Sequence, residues 1–194
     1  MKLLKTIGCI LLGMNLVTCC TTKQEPRRPV SQTSGAFMKQ SVERNKKLIE
    51  IEEGVIAKII KKDTTVHYIA SARGYWYYYN TKNTIETAKP KKGDVAFYDY
   101  EVKDINGAII YSQAELKSHQ YVVDKQAIMM GLRDGIKLMQ KGEKATFLFP
   151  SHMAYGYHGD NKKIGTNEPL ICTVTLNDIK PNPYTNNSQP EKEN

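Results

Sequence analysis

Cysteine is nearly absent from the part of this chain that can build a core. Of four cysteines, Cys9, Cys19 and Cys20 crowd the N-terminal end and only Cys172 lies in the body. A lone thiol there can form no internal disulfide. Its neighbours Ile171, Thr173 and Val174 read as a strand interior with no local base, so Cys172 fits a small buried hydrophobe rather than a nucleophile.

Long apolar runs are also missing. Beyond the N-terminal leader, no segment has the length of apolar residues that a bilayer span requires. No run of Lys or Arg forms a nucleic-acid stripe, and acidic residues are interspersed with the basic ones. The formal charge of +8 falls to +6 once Lys2 and Lys5 leave with the leader, a mild excess that excludes nucleic acid as the expected partner. Ser151 lacks a G-x-S-x-G elbow, and Glu101, Glu143 and Glu168 show no pairing of the hydrolase kind. The segment GDNKKIG lacks the acidic ligands of a calcium loop. His152, His158 and Asp160 have loop spacing without a tetrahedral template, so they read as solvated loop residues and no metal is expected.

The N-terminus reads as a targeting segment. Lys2 and Lys5 precede IGCILLGMNLV, which has the length of a signal-peptide core, and LVTCCTT follows. Cleavage before Cys19 or Cys20 would leave a lipidated cysteine, resembling a bacterial lipoprotein box, with an ordinary secretory signal as the other reading. The leader is thus 1–19. Residues 20–35, rich in Pro, Ser, Thr and Gln, read as a flexible tether. A lipid-anchored, periplasm-facing protein is expected, on the outer membrane more than the inner, its body soluble and tethered.

From 36 to 63 apolar residues recur at three- and four-residue steps, a helix that Gly54 either splits or kinks. VHYIAS and YWYYY read as two short strands, with Tyr75, Tyr77 and Tyr79 on one face. Without interleaved Lys and Arg, these rings serve packing rather than base stacking. The polar link 80–92 marks the expected boundary between an N-terminal region, 36–89, and a main domain, 90–181. Residues 182–194 read as a disordered tail.

In the main domain, strands are expected over 94–104, 108–112 and 120–123, with a turn at Asn106-Gly107. A helix over 126–139 presents Ile128, Met129, Leu132, Ile136 and Met139 inward. The stretch 142–156, GEKATFLFPSHMAYG, organises the rest. Ala145, Phe147 and Phe149 share one face of a strand and Lys144, Thr146 and Leu148 the other. Pro150 ends it. Ser151 can cap a turn that presents Tyr155, and Gly156 lets the chain leave. A loop over 157–167 and a strand over 169–179 complete an α+β arrangement.

Taken together, KKGDVAFYDYEV, NGAIIYS, MMGLRDGIKLMQKGEKATFLFPSHMAYG and PLICTVTLNDI resemble FKBP-type peptidyl-prolyl isomerases over 90–180. The resemblance implies a strongly curved antiparallel sheet, a half-barrel, wrapped on one helix. It also implies an active cleft that needs no metal or cofactor. The segments VERNKKLIEIEE, GYWYYY and AYGYHGDNKKIGTNEPLI further resemble the gliding-motility-associated FKBP-type lipoproteins of the Bacteroidota. This implies proline-containing exported polypeptides as substrates and proteins of the gliding and secretion machinery as partners.

Carried over by position, the resemblance makes Tyr100 and Tyr155 the catalytic residues. It places Ile110, Tyr111, Tyr121, Met129, Leu132, Ile164 and Cys172 in the substrate pocket. Tyr155 matches the hydroxyl that donates to the substrate carbonyl. Ile110, Leu132, Cys172 and Tyr111 stand where many members have Phe, Trp, Phe and Asp, and His119 replaces another aromatic. These departures keep two readings open: a prolyl isomerase, or a non-catalytic chaperone or assembly module with an altered cleft. The N-terminal helix either dimerises or folds back on the domain.

Overall fold

The computed structural model describes residues 34–85 and 88–181. The leader, Cys19, Cys20, the tether up to 33 and the tail from 182 lie outside the described residues. Contacts divide the chain into Met1–Gln40 and Ser41–Asn194. Of the first unit, residues 34–40 are described and are helical, with Phe37 and Met38 exposed. Among the described residues, no helix is long and apolar enough to cross a membrane.

A single helix, α1, runs Ser34–Lys62 and passes through Gly54 without a break. Glu52 and Ile56, one turn apart, are its buried positions, flanked by half-buried Leu48, Ile49, Ile59 and Ile60. Burial of that stripe outweighs the roughly 1 kcal/mol a helical glycine costs.

The strands are β1 (Ile69–Ala70), β2 (Trp76–Thr81), β3 (Val95–Asp104), β4 (Ile109–Tyr111), β5 (His119–Val122), β6 (Lys144–Phe149) and β7 (Leu170–Lys180). They form one sheet in the order β1-β2-β6-β7-β3-β4, with β5 also on β3. Every pairing is antiparallel. The sheet does not close into a barrel. Register shifts at Tyr79/Thr81, Phe97/Tyr98 and Val102/Lys103 are bulges, which bend strands and increase twist. The α+β class read from the sequence, one antiparallel sheet with a helix against it, holds.

One expectation changes here. The aromatic strand β2 pairs with β6 from Trp76↔Leu148 to Thr81↔Lys144. It therefore extends the main sheet, and the polar link 80–92 separates no bodies. Alternation explains the attachment: Tyr75 is buried, and Tyr77 and Tyr79 pack on the core from the same face.

Two further helices follow, α2 (Gln113–Leu116) and α3 (Met130–Ile136). The expected helix over 126–139 is thus cut to seven residues. Asp124 takes a left-handed φ of 55° and Met129 an extended ψ of 131°, and the chain between them is not helical. The core lies between α3 and the inner sheet face. It takes Ala96, Tyr98, Tyr100 and Val102 from β3, Ala145, Phe147 and Phe149 from β6, and alternate residues of β7.

Candidate active site

The organising stretch folds as its residues dictate. Strand β6 stops before Pro150, a 3₁₀ turn covers Ser151–Met153, and Gly156 takes a φ of +59°. Ser151 does not cap that turn. Its backbone N–H and its hydroxyl both donate to the Glu52 carboxylate of α1, each at 2.7 Å. The outer face of β6 is buried too: Leu148 is covered, and its cross-strand neighbour Ile171 faces a hollow shared with Val55 and Ile59 of α1.

Tyr155 is thereby delivered to a cleft of about 430 Å³. Tyr98 and Tyr100 of β3 and His119 of β5 form one wall, and Ile128, Met129 and Leu132 the other. The aromatic wall is packed. Tyr98 and His119 stack at 5.6 Å, and Tyr100 meets the His119 ring edge-on at 5.2 Å. The larger hollow, about 670 Å³, lies under α1 and carries no hydroxyl or imidazole. Volume alone therefore does not identify the site; the chemistry of the walls does.

Of the expected site residues, the cleft gathers Tyr100, Tyr155, Met129 and Leu132. The other five stand behind or beside it. Tyr121 is fully buried, and its hydroxyl accepts the Asp124 N–H at 2.9 Å. Cys172 is buried on β7 opposite Phe147, and burial pushes its thiol up. Ile110 and Tyr111 pack on the core from β4. Tyr111 donates a short hydrogen bond to Asp160, whose other oxygen accepts the Ile164 N–H at 2.8 Å. This pair fixes the loop that seats Ile164.

Tyr98, His119, Ala127 and Ile128 complete the lining. Strand parity carried the signal for Tyr98, two residues from Tyr100 on the same face. The Nε2 of His119 is buried without a hydrogen-bond partner among the described residues.

The hydroxyls are neutral at physiological pH. Burial, with the Tyr155 and Tyr121 hydroxyls nearby, pushes Tyr98 up to about 12. Burial, then Tyr155, raises Tyr100 further. Tyr155 is raised by burial, then by Cys172 and Asp160, while the Tyr100 hydroxyl pulls the other way. An apolar pocket with protonated hydroxyls at its rim can desolvate a ring and donate to a carbonyl oxygen. No group of three or more His, Cys, Asp or Glu side chains among the described residues could hold a metal ion, His152, His158 and Asp160 included.

Comparison with known proteins agrees with this chemistry. Residues 86–177 match the family model of FKBP-type peptidyl-prolyl cis-trans isomerases. Over 91 residues the chain is 30% identical to the probable FKBP-type isomerase FkpA of Neisseria meningitidis, covering 47% of this chain and 33% of that protein. It is 32% identical over 91 residues to FK506-binding protein 2 of Yarrowia lipolytica, covering 46% and 63%. The match thus spans about a third of the Neisseria protein. Among solved structures, FkpA from Escherichia coli aligns at a TM-score of 0.57 and 22% identity, over 91% of this chain and 83% of that one. A Pseudomonas syringae peptidyl-prolyl isomerase aligns at 0.56 and 20%, over 70% and 95%. At these identities the structures establish the fold.

Proposed function

We propose, from the match of residues 86–177 to the family model of FKBP-type peptidyl-prolyl cis–trans isomerases, that this chain rotates Xaa-Pro bonds of exported polypeptides. The observation that carries the reading is the protonated Tyr155 hydroxyl at the edge of an apolar cleft.

Rotation about an Xaa-Pro bond meets a barrier of about 18–20 kcal/mol because the amide loses resonance. A catalyst lowers it by binding the twisted amide better than the planar one. In this cleft the prolyl ring sits on Leu132 and Met129, against Tyr98 and Tyr100. Leaving water weakens the hydration that favours the planar, more polar amide. The Tyr155 hydroxyl donates to a substrate carbonyl and holds the chain turned. No bond is made or broken and no proton is transferred.

The test is exchange NMR on Xaa-Pro peptides with the full chain in mild detergent. Tyr155→Phe should lower kcat/KM about tenfold, the worth of one hydrogen bond of about 1.4 kcal/mol. Leu132→Ala should raise KM by removing pocket wall. A folded protein that binds the peptides without accelerating exchange would overturn the enzyme reading. It would leave a chaperone or assembly module with a polypeptide-holding cleft.

The leader and LVTCCTT support lipid anchoring at Cys19 or Cys20 on the periplasmic side, outer membrane over inner. A diacylglyceryl mass on the mature N-terminal cysteine checks this. The link to gliding and secretion proteins rests on the resemblance of VERNKKLIEIEE, GYWYYY and the loop after Tyr155 to the Bacteroidota lipoproteins. Loss of gliding on deletion of the gene would support it.

A further inference from the structure

Helix α3 presents two faces to two different hollows. Leu132, three residues after Met129, faces the cleft. Met130, Arg133, Asp134 and Lys137, spaced as one helical face, line a second hollow of about 370 Å³ with Arg73, His152 and Met153. Nothing in the isomerisation step uses this second hollow.

Its charges are unevenly matched. Two carboxylates serve three permanent cations. Lys137 closes on Asp124 at 3.1 Å. Arg133 reaches the same oxygen only at 3.9 Å, and Arg73 reaches Asp134 only at 3.8 Å. Asp134 is further engaged by the Tyr75 hydroxyl, which donates to its other oxygen at 2.7 Å. Both side chains are well exposed, at 71% for Arg73 and 42% for Arg133. Among the described residues each makes only this one long ion pair, which leaves N–H donors for the bidentate grip on a carboxylate that suits Arg. Met130, 56% exposed, supplies an apolar surface for the stem of such a side chain.

We propose that this hollow is an exosite for an acidic side chain of the same polypeptide whose proline occupies the cleft. The proposal rests on the isomerase reading and adds a substrate preference to it. Met129 and Met130 are consecutive, and a helix with its side chains is about 10 Å across. An extended chain advances about 3.3 Å per residue, so the acidic residue stands roughly two to four positions from the proline. A bounded hollow of about 370 Å³ with two arginines at its wall suits a carboxylate side chain on a short peptide segment better than a membrane or a nucleic-acid backbone, which need a broad basic surface.

The test uses the full chain and peptides identical but for Glu, Gln or Lys about three residues before or after a single proline. Affinity is read by fluorescence anisotropy and catalysis by exchange NMR. Both are run at about 0.01 M and about 0.15 M salt, where the Debye length falls from about 30 Å to about 8 Å. At low salt the Glu peptide should bind and turn over about 2- to 5-fold better than Gln on one side of the proline, with Lys worst. The advantage should shrink at the higher salt. Arg73→Glu with Arg133→Glu should reverse the Glu-over-Lys order, and the milder Arg73→Gln should reduce it if the double variant folds poorly. Equal affinity for Glu and Gln peptides, or an order untouched by these variants, overturns the exosite. So does binding to anionic lipid vesicles that the same variants abolish while no Glu preference exists. If no peptide is accelerated, the isomerase reading fails, and the anisotropy series still decides the exosite.

Discussion

Two glycines set how closely the central helix can approach the sheet. A Cβ at Gly131 would stand 2.5 Å from the Phe149 ring, and one at Gly135 would stand 2.8 Å from the Phe147 ring. These rings cannot swing aside easily. They stack on each other at 5.4 Å and 6°, and Tyr75 packs edge-on against Phe149 at 5.2 Å. Overpacking of this kind costs about 1–3 kcal/mol, which exceeds the roughly 1 kcal/mol that alanine gains over glycine in a helix. Gly131→Ala and Gly135→Ala should each lower Tm by several degrees. Gly131→Ala should also weaken peptide binding, because Leu132 is its neighbour in the cleft wall. Gly54→Ala is the internal contrast: nothing lies within 4 Å of its Cβ position, so Tm should rise. Thermal unfolding of the three variants checks the set, and a Gly131→Ala protein as stable as the parent would contradict it. The sequence does not show this, because the ring each one admits lies on another element, strand β6.

At the scale of elements, the strand and turn from 144 to 156 were legible and the helices less so. Period-two alternation, a proline stop and a glycine exit are local signals, and each element formed where they placed it. The apolar spacing of Ile128, Met129, Leu132, Ile136 and Met139 fits a helix, yet Ile128 and Met129 precede it at the cleft wall and Met139 follows it. Backbone breaks at Asp124 and Met129 decided that, and neither is a helix breaker by type. Nor does a sequence show where Glu52 points. It reads as one of many charges on an amphipathic helix, yet it is 4% exposed and holds Ser151 across 99 positions. This contact couples α1 to the turn that carries Tyr155. Glu52→Ala would leave a buried N–H and hydroxyl without partners, at a cost of roughly 2–4 kcal/mol. Denaturant midpoints should fall accordingly, and amide exchange should quicken at 151–156. Glu52→Gln retains an acceptor and should recover part of the loss. If exchange in the turn is unchanged in Glu52→Ala, α1 is a passive cover.

Over the whole molecule, the choice of tyrosine over phenylalanine has a consequence that no single site shows. Twelve tyrosines accompany four phenylalanines. They line both flanks of the core, Tyr75, Tyr77 and Tyr79 beside β6 and Tyr98, Tyr100 and Tyr155 around the cleft. Tyr75 and Tyr79 also reach α3 and the chain just after it, donating to Asp134 and to the Leu138 carbonyl. Burial, with Asp63 nearby, pushes Tyr68 up to about 12; burial and Glu143 do the same to Tyr79, and Tyr98 reaches about 12 as well. Tyr75 and Tyr100 are raised further. A hydroxyl whose folded pKa lies above its unfolded value of about 10 keeps its proton longer in the native state. The stability it contributes is fully present below pH about 10 and is lost as pH rises through the folded value. These tyrosines should therefore leave stability level from neutral pH to about 10 and drive a steep fall between about 10 and 12. Isomerisation should hold over the same range, since Tyr155 is raised too. Denaturant unfolding against pH, with tyrosinate absorbance followed on the same samples, measures both. The buried tyrosines should ionise together with unfolding rather than before it. Ionisation of all twelve near pH 10 in a protein that stays folded would show that the core hydroxyls are solvated and that the cleft is wetter than its walls indicate.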